Sequence, residues 1–112
     1  MSTVDPSRRR RVCFLMRARA ATLEEYKRRH ADVWPEMLHA LERAGWHNYS
    51  LFARADGLVV GYVETEDFDA SLAAMQKETV NARWQAEMAP LFEIEAAPDA
   101  SMQQLEEIFH LD

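Results

Sequence analysis

A phenol and an imidazole stand four residues apart in this sequence, at Tyr26 and His30. Two residues at this spacing lie on the same side of an α-helix, one turn apart. An imidazole takes up and releases protons near neutral pH, and a phenol beside it can donate or accept a hydrogen bond. The pair could therefore serve general acid–base catalysis in a pocket. The same pattern also suits two amphipathic side chains that pack inside the fold, and the spacing alone leaves both interpretations open.

The segment around this pair has the period of an amphipathic helix. Apolar residues recur at steps of three and four on the side of Tyr26 and His30, namely Leu23, Val33, Trp34, Met37, Leu38 and Leu41. Charged residues occupy the opposite side, so both polar tips are expected to point toward the interior. Thr22 and Glu25 have the spacing of a capping box, which predicts that the helix begins at Thr22.

Prolines, glycines and aspartates mark where helical structure is interrupted. Pro35 lacks an N–H and crowds the preceding turn, so we expect a break just before it, near Val33 and Trp34. Gly45 is expected to end the element. Asp67 is expected to cap a later helix, and a further helical stretch carries Val80, Trp84 and Met88 at four-residue spacing before Pro90.

Alternating apolar and polar residues predict four strands, at residues 12–18, 48–54, 58–64 and 105–111. Asp56 and Gly57 supply a hairpin turn between the second and third strands. Residues 96–101 are interpreted as a loop. The last segment, at 105–111, could also be helical, and its alternation favours a strand. The resulting order, β-α-β-β-α-β, is the ferredoxin-like α+β arrangement, an antiparallel sheet with helices on one face. In a chain this short, a second copy is the expected cover for the other face, giving a barrel-like homodimer.

Length and composition restrict the function further. The chain has 112 residues, which fits a flexible N-terminal arm at 1–11 and one domain at 12–112. A net charge of −6 argues against nucleic-acid binding, and no apolar run approaches the length that spans a membrane. Cys13 is the single cysteine and falls in a strand pattern, so packing is its expected role. With no apolar N-terminal signal, we expect a cytosolic protein.

The remaining polar candidates are weaker than the helical pair. Histidines and acids do not recur at metal-ligand spacing, so no metal site is expected. His39 is interpreted as helix surface, His47 as a strand-entry residue and His110 as solvent-facing or inter-strand. Tyr49 faces either core or pocket. Trp84 could pack in the core or stack on the C–H face of a sugar ring.

Five short motifs, read in order, resemble the L-rhamnose mutarotase family. They are Glu25-Tyr26-Lys27-Arg28-Arg29-His30, Trp34-Pro35-Glu36, His47-Asn48-Tyr49-Ser50, Arg83-Trp84 and Glu107-Ile108-Phe109-His110-Leu111. Each motif is weak alone, but in series at compatible spacing they are specific, and the similarity runs from about Val12 to the C-terminus.

The resemblance implies a ferredoxin-like homodimer that exchanges sugar anomers without a cofactor, acting on L-rhamnose or a closely related deoxysugar. It implies that His30 is the proton donor and that Tyr26 and Tyr49 bind the sugar. Family members commonly carry two adjacent tryptophans that contact the sugar; the first matches Trp84, and the second position is Gln85 here. This departure leaves the identity of the sugar open. The base that takes the anomeric hydroxyl proton is also open, between Tyr26, water and His30 itself.

Two other functions use the same fold. A small dimeric ferredoxin-like oxygenase would have a drier, more aromatic pocket and would consume oxygen. A non-catalytic sugar-binding module would bind without speeding anomer exchange. The Tyr26 and His30 pair and the ordered motifs favour the mutarotase over the oxygenase, and an exchange measurement separates all three.

Overall fold

The computed structural model describes residues 9–92 and 101–112. Within these residues the strands are β1 (Arg10–Arg17), β2 (His47–Ala53), β3 (Leu58–Thr65) and β4 (Gln103–Leu105), and the helices are α1 (Leu23–His30), α2 (Pro35–Arg43), α3 (Phe68–Gln76) and α4 (Thr79–Met88). Short 3₁₀ turns at Ala20–Thr22 and Ala89–Leu91 precede α1 and follow α4.

The four strands form one antiparallel sheet in the order β2-β3-β1-β4. β1 and β3 are its centre and pair over their whole length, from Arg10 opposite Thr65 to Arg17 opposite Leu58. The α+β ferredoxin-like arrangement expected from the sequence is confirmed. β1 begins two residues earlier than predicted, so Arg10 and Arg11 belong to the strand rather than to the N-terminal arm.

One face of the sheet, here called the helix face, packs against the four helices. It carries alternate residues of β1 and β3, such as Phe14 and Val59, both 0% exposed. Phe14 lies over Gly61, where a Cβ would come within 2.3 Å of the ring. Because Gly61 has no side chain, the Phe14 ring can pack directly against the central strand β3.

The helix boundaries follow the predicted interruptions. Pro35 is the first residue of α2, where its missing N–H costs nothing, and a short segment separates α1 from α2 as expected. Gly45 has a φ of 84° after α2. The Asp67 carboxylate accepts a hydrogen bond from the Ala70 N–H at the start of α3, confirming the predicted cap.

The predicted capping box at α1 is wrong. The Thr22 side chain makes no cap hydrogen bond to the helix. Its hydroxyl donates to the Leu91 carbonyl at 3.1 Å, in the turn after α4. Glu25 instead pairs with Arg29 within the helix. A tertiary contact has replaced the local one.

The last strand is also shorter and earlier than predicted. β4 covers Gln103–Leu105, and residues 106–112 form no strand. The apolar side chains of this tail are left in solvent, with Ile108 88%, Phe109 80% and Leu111 80% exposed. Alternation in the tail therefore does not reflect pairing within this chain. The predicted loop at 96–101 lies outside the described residues except for Ser101.

The other face of the sheet, here called the open face, carries no helix. Its apolar side chains are half-buried or exposed: Leu15, Leu58, Val60, Tyr62, Phe52 and Leu105. Phe52 is 63% exposed on the edge strand β2. Cys13 also lies on this face, half-buried, and packs in the strand as expected. None of the helices in the described residues is long and apolar enough to cross a membrane.

Candidate active site

His30 is the last residue of α1, at the break that Pro35 imposes before α2. Its Nδ1 lies 2.8 Å from the backbone carbonyl oxygen of Tyr26, one turn back. A carbonyl oxygen can only accept, so Nδ1 carries the hydrogen of this bond. The ring is therefore held in one orientation, and Nε2 is the nitrogen that remains for a ligand.

A cavity of about 320 Å³ opens beside His30, between the helices and strand β2. This main cavity is lined by His30, Val33, Met37, Leu38, Leu41, Trp46, Tyr49, Leu51, Met75, Asn81, Trp84, Gln85 and Met102. Its volume lies at the lower end of the range for small-molecule sites. Among these lining residues none carries a fixed charge, so the cavity suits a small, neutral, polar ligand.

Tyr49 reaches the cavity from β2. The pairing of β2 with β3 is irregular between His47 and Ser50, and Asn48 there adopts a φ of 48°. Asn48 is held in this conformation by donating to the Glu64 carboxylate at 3.0 Å. Such irregularities re-aim a side chain, and the Tyr49 ring here packs against Trp46 at a centroid distance of 4.8 Å.

Helix α4 supplies the opposite side of the cavity. The Trp84 ring meets His30 edge-on, with centroids 5.4 Å apart, and is braced from behind by Trp34 at 5.1 Å. Gln85 follows Trp84, and its amide nitrogen donates to the Asn81 side-chain oxygen at 3.2 Å. An aromatic plane and two amides thus lie next to the imidazole.

Burial changes the acidity of both members of the helical pair. Desolvation lowers the pKa of His30 below its ordinary value of 6.5, and the hydrogen bond to the Tyr26 carbonyl opposes this only in part. Desolvation raises the pKa of Tyr26 well above its usual range. At neutral pH both groups are therefore uncharged, and His30 is the one that can gain a proton near that pH.

The structure brings four of the five predicted site residues to the main cavity: His30, Tyr49, Trp84 and Gln85. Tyr26 lies behind them. Its ring is 4% exposed and packs on His30 at 4.3 Å. It lines a separate hollow with His30, Leu51 and Val59, here called the rear hollow. His30 stands between the two spaces.

Asn81 is a cavity residue that the sequence analysis did not single out. It is 4% exposed and lies one helical turn before Gln85. This four-residue spacing was a usable signal, because it places Asn81 and Gln85 on one side of α4. Met102 was also missed, and no periodic pattern points to it.

The other histidines behave as expected. His39 is exposed on α2, and His47 is the first residue of β2. His110 is exposed in the C-terminal tail and lies 2.9 Å from the Asp112 carboxylate. Across residues 9–92 and 101–112, no group of histidine, cysteine and acidic side chains could hold a metal ion.

Comparison with known proteins agrees with this geometry. Residues 11–111 match the family model described as L-rhamnose mutarotase. The chain belongs to the L-rhamnose mutarotase family. Its members are carbohydrate isomerases that interconvert the α and β anomers of a sugar.

Two relatives illustrate the extent of the match. A protein of Bacillus subtilis named L-rhamnose mutarotase is 40% identical over 90 residues, covering 80% of this chain and 86% of the relative. One of Oceanobacillus iheyensis with the same name is 32% identical over 104 residues, covering 92% of this chain and 99% of the relative. The crystal structure of an L-rhamnose mutarotase from Formosa agariphila matches the fold with a TM-score of 0.75 at 24% identity, covering 92% of this chain and 99% of that chain.

Proposed function

We propose that this mutarotase acts on L-rhamnose or a closely related deoxysugar in the main cavity, with His30 as the catalytic residue. The observation that carries the proposal is the fixed imidazole: Nδ1 is bonded to the Tyr26 carbonyl, and His30 lines a small cavity without fixed charges. Mutarotation needs one proton to leave the anomeric hydroxyl and one to reach the ring oxygen. Both oxygens are attached to the same carbon, so one nitrogen beside that carbon can serve both.

The tautomer of His30 sets the order of proton transfers. With Nδ1 protonated, Nε2 of the neutral ring has a lone pair and can only accept. Because the pKa of His30 is lowered, the neutral ring is the resting form at neutral pH. His30 therefore starts as the base, and it becomes the acid once it holds the proton.

The proton path balances with His30 alone. Nε2 takes the proton of the anomeric hydroxyl as its O–H bond breaks, and O1 becomes the carbonyl oxygen of the open sugar. The bond between C1 and O5 breaks, and the imidazolium delivers the same proton to O5. After rotation about C1–C2 the steps run in reverse on the other face of C1, which yields the other anomer and a neutral imidazole.

The remaining residues bind the ring rather than move the proton. The Trp84 plane is suited to the apolar C–H side of the sugar, and the Tyr49 hydroxyl can bond to one of its hydroxyl groups. Gln85 adds an amide to the same side. These contacts would hold C1 next to Nε2.

Tyr26 has its clearest role through His30. Its carbonyl fixes the imidazole, and its ring packs on the imidazole face. We therefore assign it to orienting His30. The contact between its hydroxyl and the sugar, which the family resemblance implies, stays a prediction.

The test is anomer exchange of L-rhamnose followed by saturation-transfer NMR. Replacing His30 by Asn should lower the enzymatic exchange rate by about 10²- to 10⁴-fold, the usual contribution of a positioned proton-transfer group. His39→Asn is the matched control, because His39 is exposed on α2 and away from the cavity. Undiminished exchange in His30→Asn would remove His30 from the mechanism. No acceleration by the unmodified protein, for any related sugar, would overturn the proposed function itself.

We also propose that a second copy of the chain covers the open face, forming the barrel-like homodimer. Half-buried Leu15 and Val60 lie at the centre of this face, and exposed Phe52 and Leu105 extend it to both edges. The exposed apolar tail continues the patch. A contiguous apolar surface of this kind is uncommon on a monomer, and two identical faces can pair about a twofold axis.

Sedimentation velocity tests the dimer. The unmodified protein should sediment as a dimer, and Val60→Asp should shift it to a monomer because a carboxylate would be buried in the interface. Glu87→Gln, on the outer surface of α4, should leave the dimer intact. A monomer at all concentrations would refute the assembly without affecting the role of His30.

We propose a cytosolic location because the chain carries a single cysteine, Cys13, and its fold therefore does not depend on the internal disulfides that stabilise many small secreted domains. Cell fractionation tests this, and recovery from an oxidising compartment would contradict it.

A further inference from the structure

Two motifs of the sequence, Trp34-Pro35-Glu36 and Arg83-Trp84, meet in the folded chain. The Trp34 and Trp84 rings pack at right angles, with their centroids 5.1 Å apart. The Arg83 guanidinium lies over the Trp34 ring, 5.6 Å from its centroid, and donates to the Glu36 carboxylate at 3.3 Å. The lining of the main cavity includes Trp84 but not Trp34, Glu36 or Arg83. These contacts therefore lie one step behind the candidate site.

The backbone of Trp34 is fixed by its neighbour, whereas its ring is not. Pro35 restricts the residue before it to an extended backbone, and Trp34 has a φ of −56° and a ψ of 133°. The Trp34 side chain is only half-buried, so the core does not fully determine how its ring is turned. A cation within about 6 Å of an indole centroid is attracted to the face of the ring. Arg83 therefore favours the ring orientation that presents this face.

Glu36 keeps the guanidinium beside the ring. Its carboxylate lies in the first turn of α2, where the helix dipole favours a negative charge. The side chains of Arg83 and Glu36 are 58% and 71% exposed, so their ion pair contributes little to stability. Its consequence is geometric, because it restricts a long and flexible side chain to the neighbourhood of Trp34.

We propose that Arg83 is a positioning residue for Trp84 and acts through Trp34. This inference rests on the proposed function, in which the Trp84 ring holds the apolar side of the sugar. The Trp84 ring meets two other rings, those of His30 and Trp34. His30 is fixed independently, by its hydrogen bond to the Tyr26 carbonyl. The orientation of Trp84 therefore depends on the ring that Arg83 holds.

The test measures exchange of L-rhamnose anomers against sugar concentration in Arg83→Met, which keeps a long unbranched side chain and removes the cation. KM should rise about two- to fivefold, the size of one cation–π contact at an exposed position. The change in kcat should be less than about twofold, because the hydrogen bond that fixes His30 is intact and only sugar binding is weakened. A fall in kcat with unchanged KM would overturn the inference.

Arg43→Met is the matched control. Arg43 forms the same kind of exposed ion pair, with Glu78 at 2.8 Å. It is the last of the nine residues of α2, whereas Trp34 precedes the first, which places them about 13 Å apart along the helix axis. Arg43→Met should leave KM and kcat unchanged. An equal rise of KM in both variants would overturn the inference, because the loss of any surface ion pair would then explain it.

A double-mutant cycle tests the route through Trp34. Trp34→Leu removes the ring over which the guanidinium lies and should raise KM by itself. Adding Arg83→Met to Trp34→Leu should then have no further effect on KM, because the two residues act as one unit. A further two- to fivefold rise in the double variant would show that Arg83 acts by another route, and would overturn the inference.

Circular dichroism gives a readout that needs neither turnover nor a sugar. Two indoles in contact couple their ultraviolet transitions, and the band they produce depends on the angle between the rings. Trp34→Leu should remove the band of the Trp34 and Trp84 pair, Arg83→Met should change it, and Arg43→Met should not. An unchanged band in Arg83→Met would overturn the inference, whether or not Trp34→Leu folds. If the unmodified protein accelerates no exchange, the proposed function fails, while circular dichroism still decides whether Arg83 orients the two tryptophans.

Discussion

The two faces of the sheet are built from alternating residues of the same strands, yet they differ in almost every physical property. On the helix face Phe14 is fully buried and the adjoining cavity has uncharged walls. On the open face the next residue, Leu15, is half-buried, and the same face also carries Glu64, which accepts hydrogen bonds from Tyr62 and Asn48. A shift of one residue separates a dry interior from a surface suited to association. One short sheet can therefore support both the cavity and the proposed dimer.

Truncating neighbouring residues on the two faces tests most directly whether their side chains are packed to different extents. Phe14→Ala should lower the free energy of unfolding by about 3–5 kcal/mol, because it empties the space over Gly61. Leu15→Ala should cost only about 1 kcal/mol, since its side chain is only partly buried. Denaturant unfolding measures both. Equal losses would show that the open face is as well packed as the helix face. If the loss of unfolding free energy in Leu15→Ala grows with protein concentration, Leu15 instead lies in a dimer interface.

The exchange rate at low pH should depend on His30, beside the main cavity, and not on Glu64, on the open face. In the proposed mechanism the neutral form of His30 is the base, and burial holds the pKa of His30 below 6.5. Exchange should therefore stay level around neutral pH and then fall about tenfold per pH unit once the pH drops below the pKa of His30. Saturation-transfer NMR between pH 4 and 8 measures this acid limb of the profile. Glu64→Gln should leave the acid limb unchanged, because Glu64 lies on the open face. If the limb disappears in that variant, His30 is not the group that causes it.

Stability should change in the same direction. Folding lowers the pKa of His30, so the unfolded chain takes up a proton first as the pH falls. The contribution of His30 is complete above about 6.5, the ordinary value, and is lost as the pH drops from there toward the folded pKa. His30→Asn should remove this part of the pH dependence in thermal unfolding.

The smallest effect is expected at Tyr26. Tyr26→Phe keeps the ring on His30 and the carbonyl that holds Nδ1, so exchange should fall less than about threefold and stability should change by less than about 0.5 kcal/mol. NMR exchange and thermal unfolding measure the two quantities. A drop of tenfold or more in exchange, with unchanged stability, would show that the hydroxyl reaches the sugar.

Much of the fold could be predicted from the sequence, because periodicity and interrupting residues act locally. Pro35 and Gly45 bound α2 as expected, and Asp67 caps α3. The predicted capping box at Thr22 was wrong because the Thr22 hydroxyl donates to the Leu91 carbonyl, which is distant in sequence. The predicted strand at 105–111 was wrong because alternation indicates which side chains lie on one face of an extended segment. It does not indicate whether that segment pairs with another strand of the same chain.

The residues of the candidate site could also be predicted in part. Helical spacing placed Tyr26 and His30 on one side of α1, but it carries no information on which ring lies deeper. The packing of Tyr26 against Phe92, at 5.6 Å, settles that order in the folded chain. The spacing of Asn81 from Gln85 places both residues on one side of α4, but the hydrogen bond from Asn81 to the Met75 carbonyl could not be predicted, because it depends on the packing of α3 against α4.

The break between α1 and α2 has an electrostatic consequence for the proposed proton transfer by His30. By ending α1 at His30, the break before Pro35 leaves the imidazole at the negative end of a peptide-dipole array. That end favours a cation by about 0.3–1 kcal/mol, while burial disfavours it at rest. A ring that is neutral between turnovers can thus carry charge briefly at low cost, and a continuous helix through this point would withdraw that support.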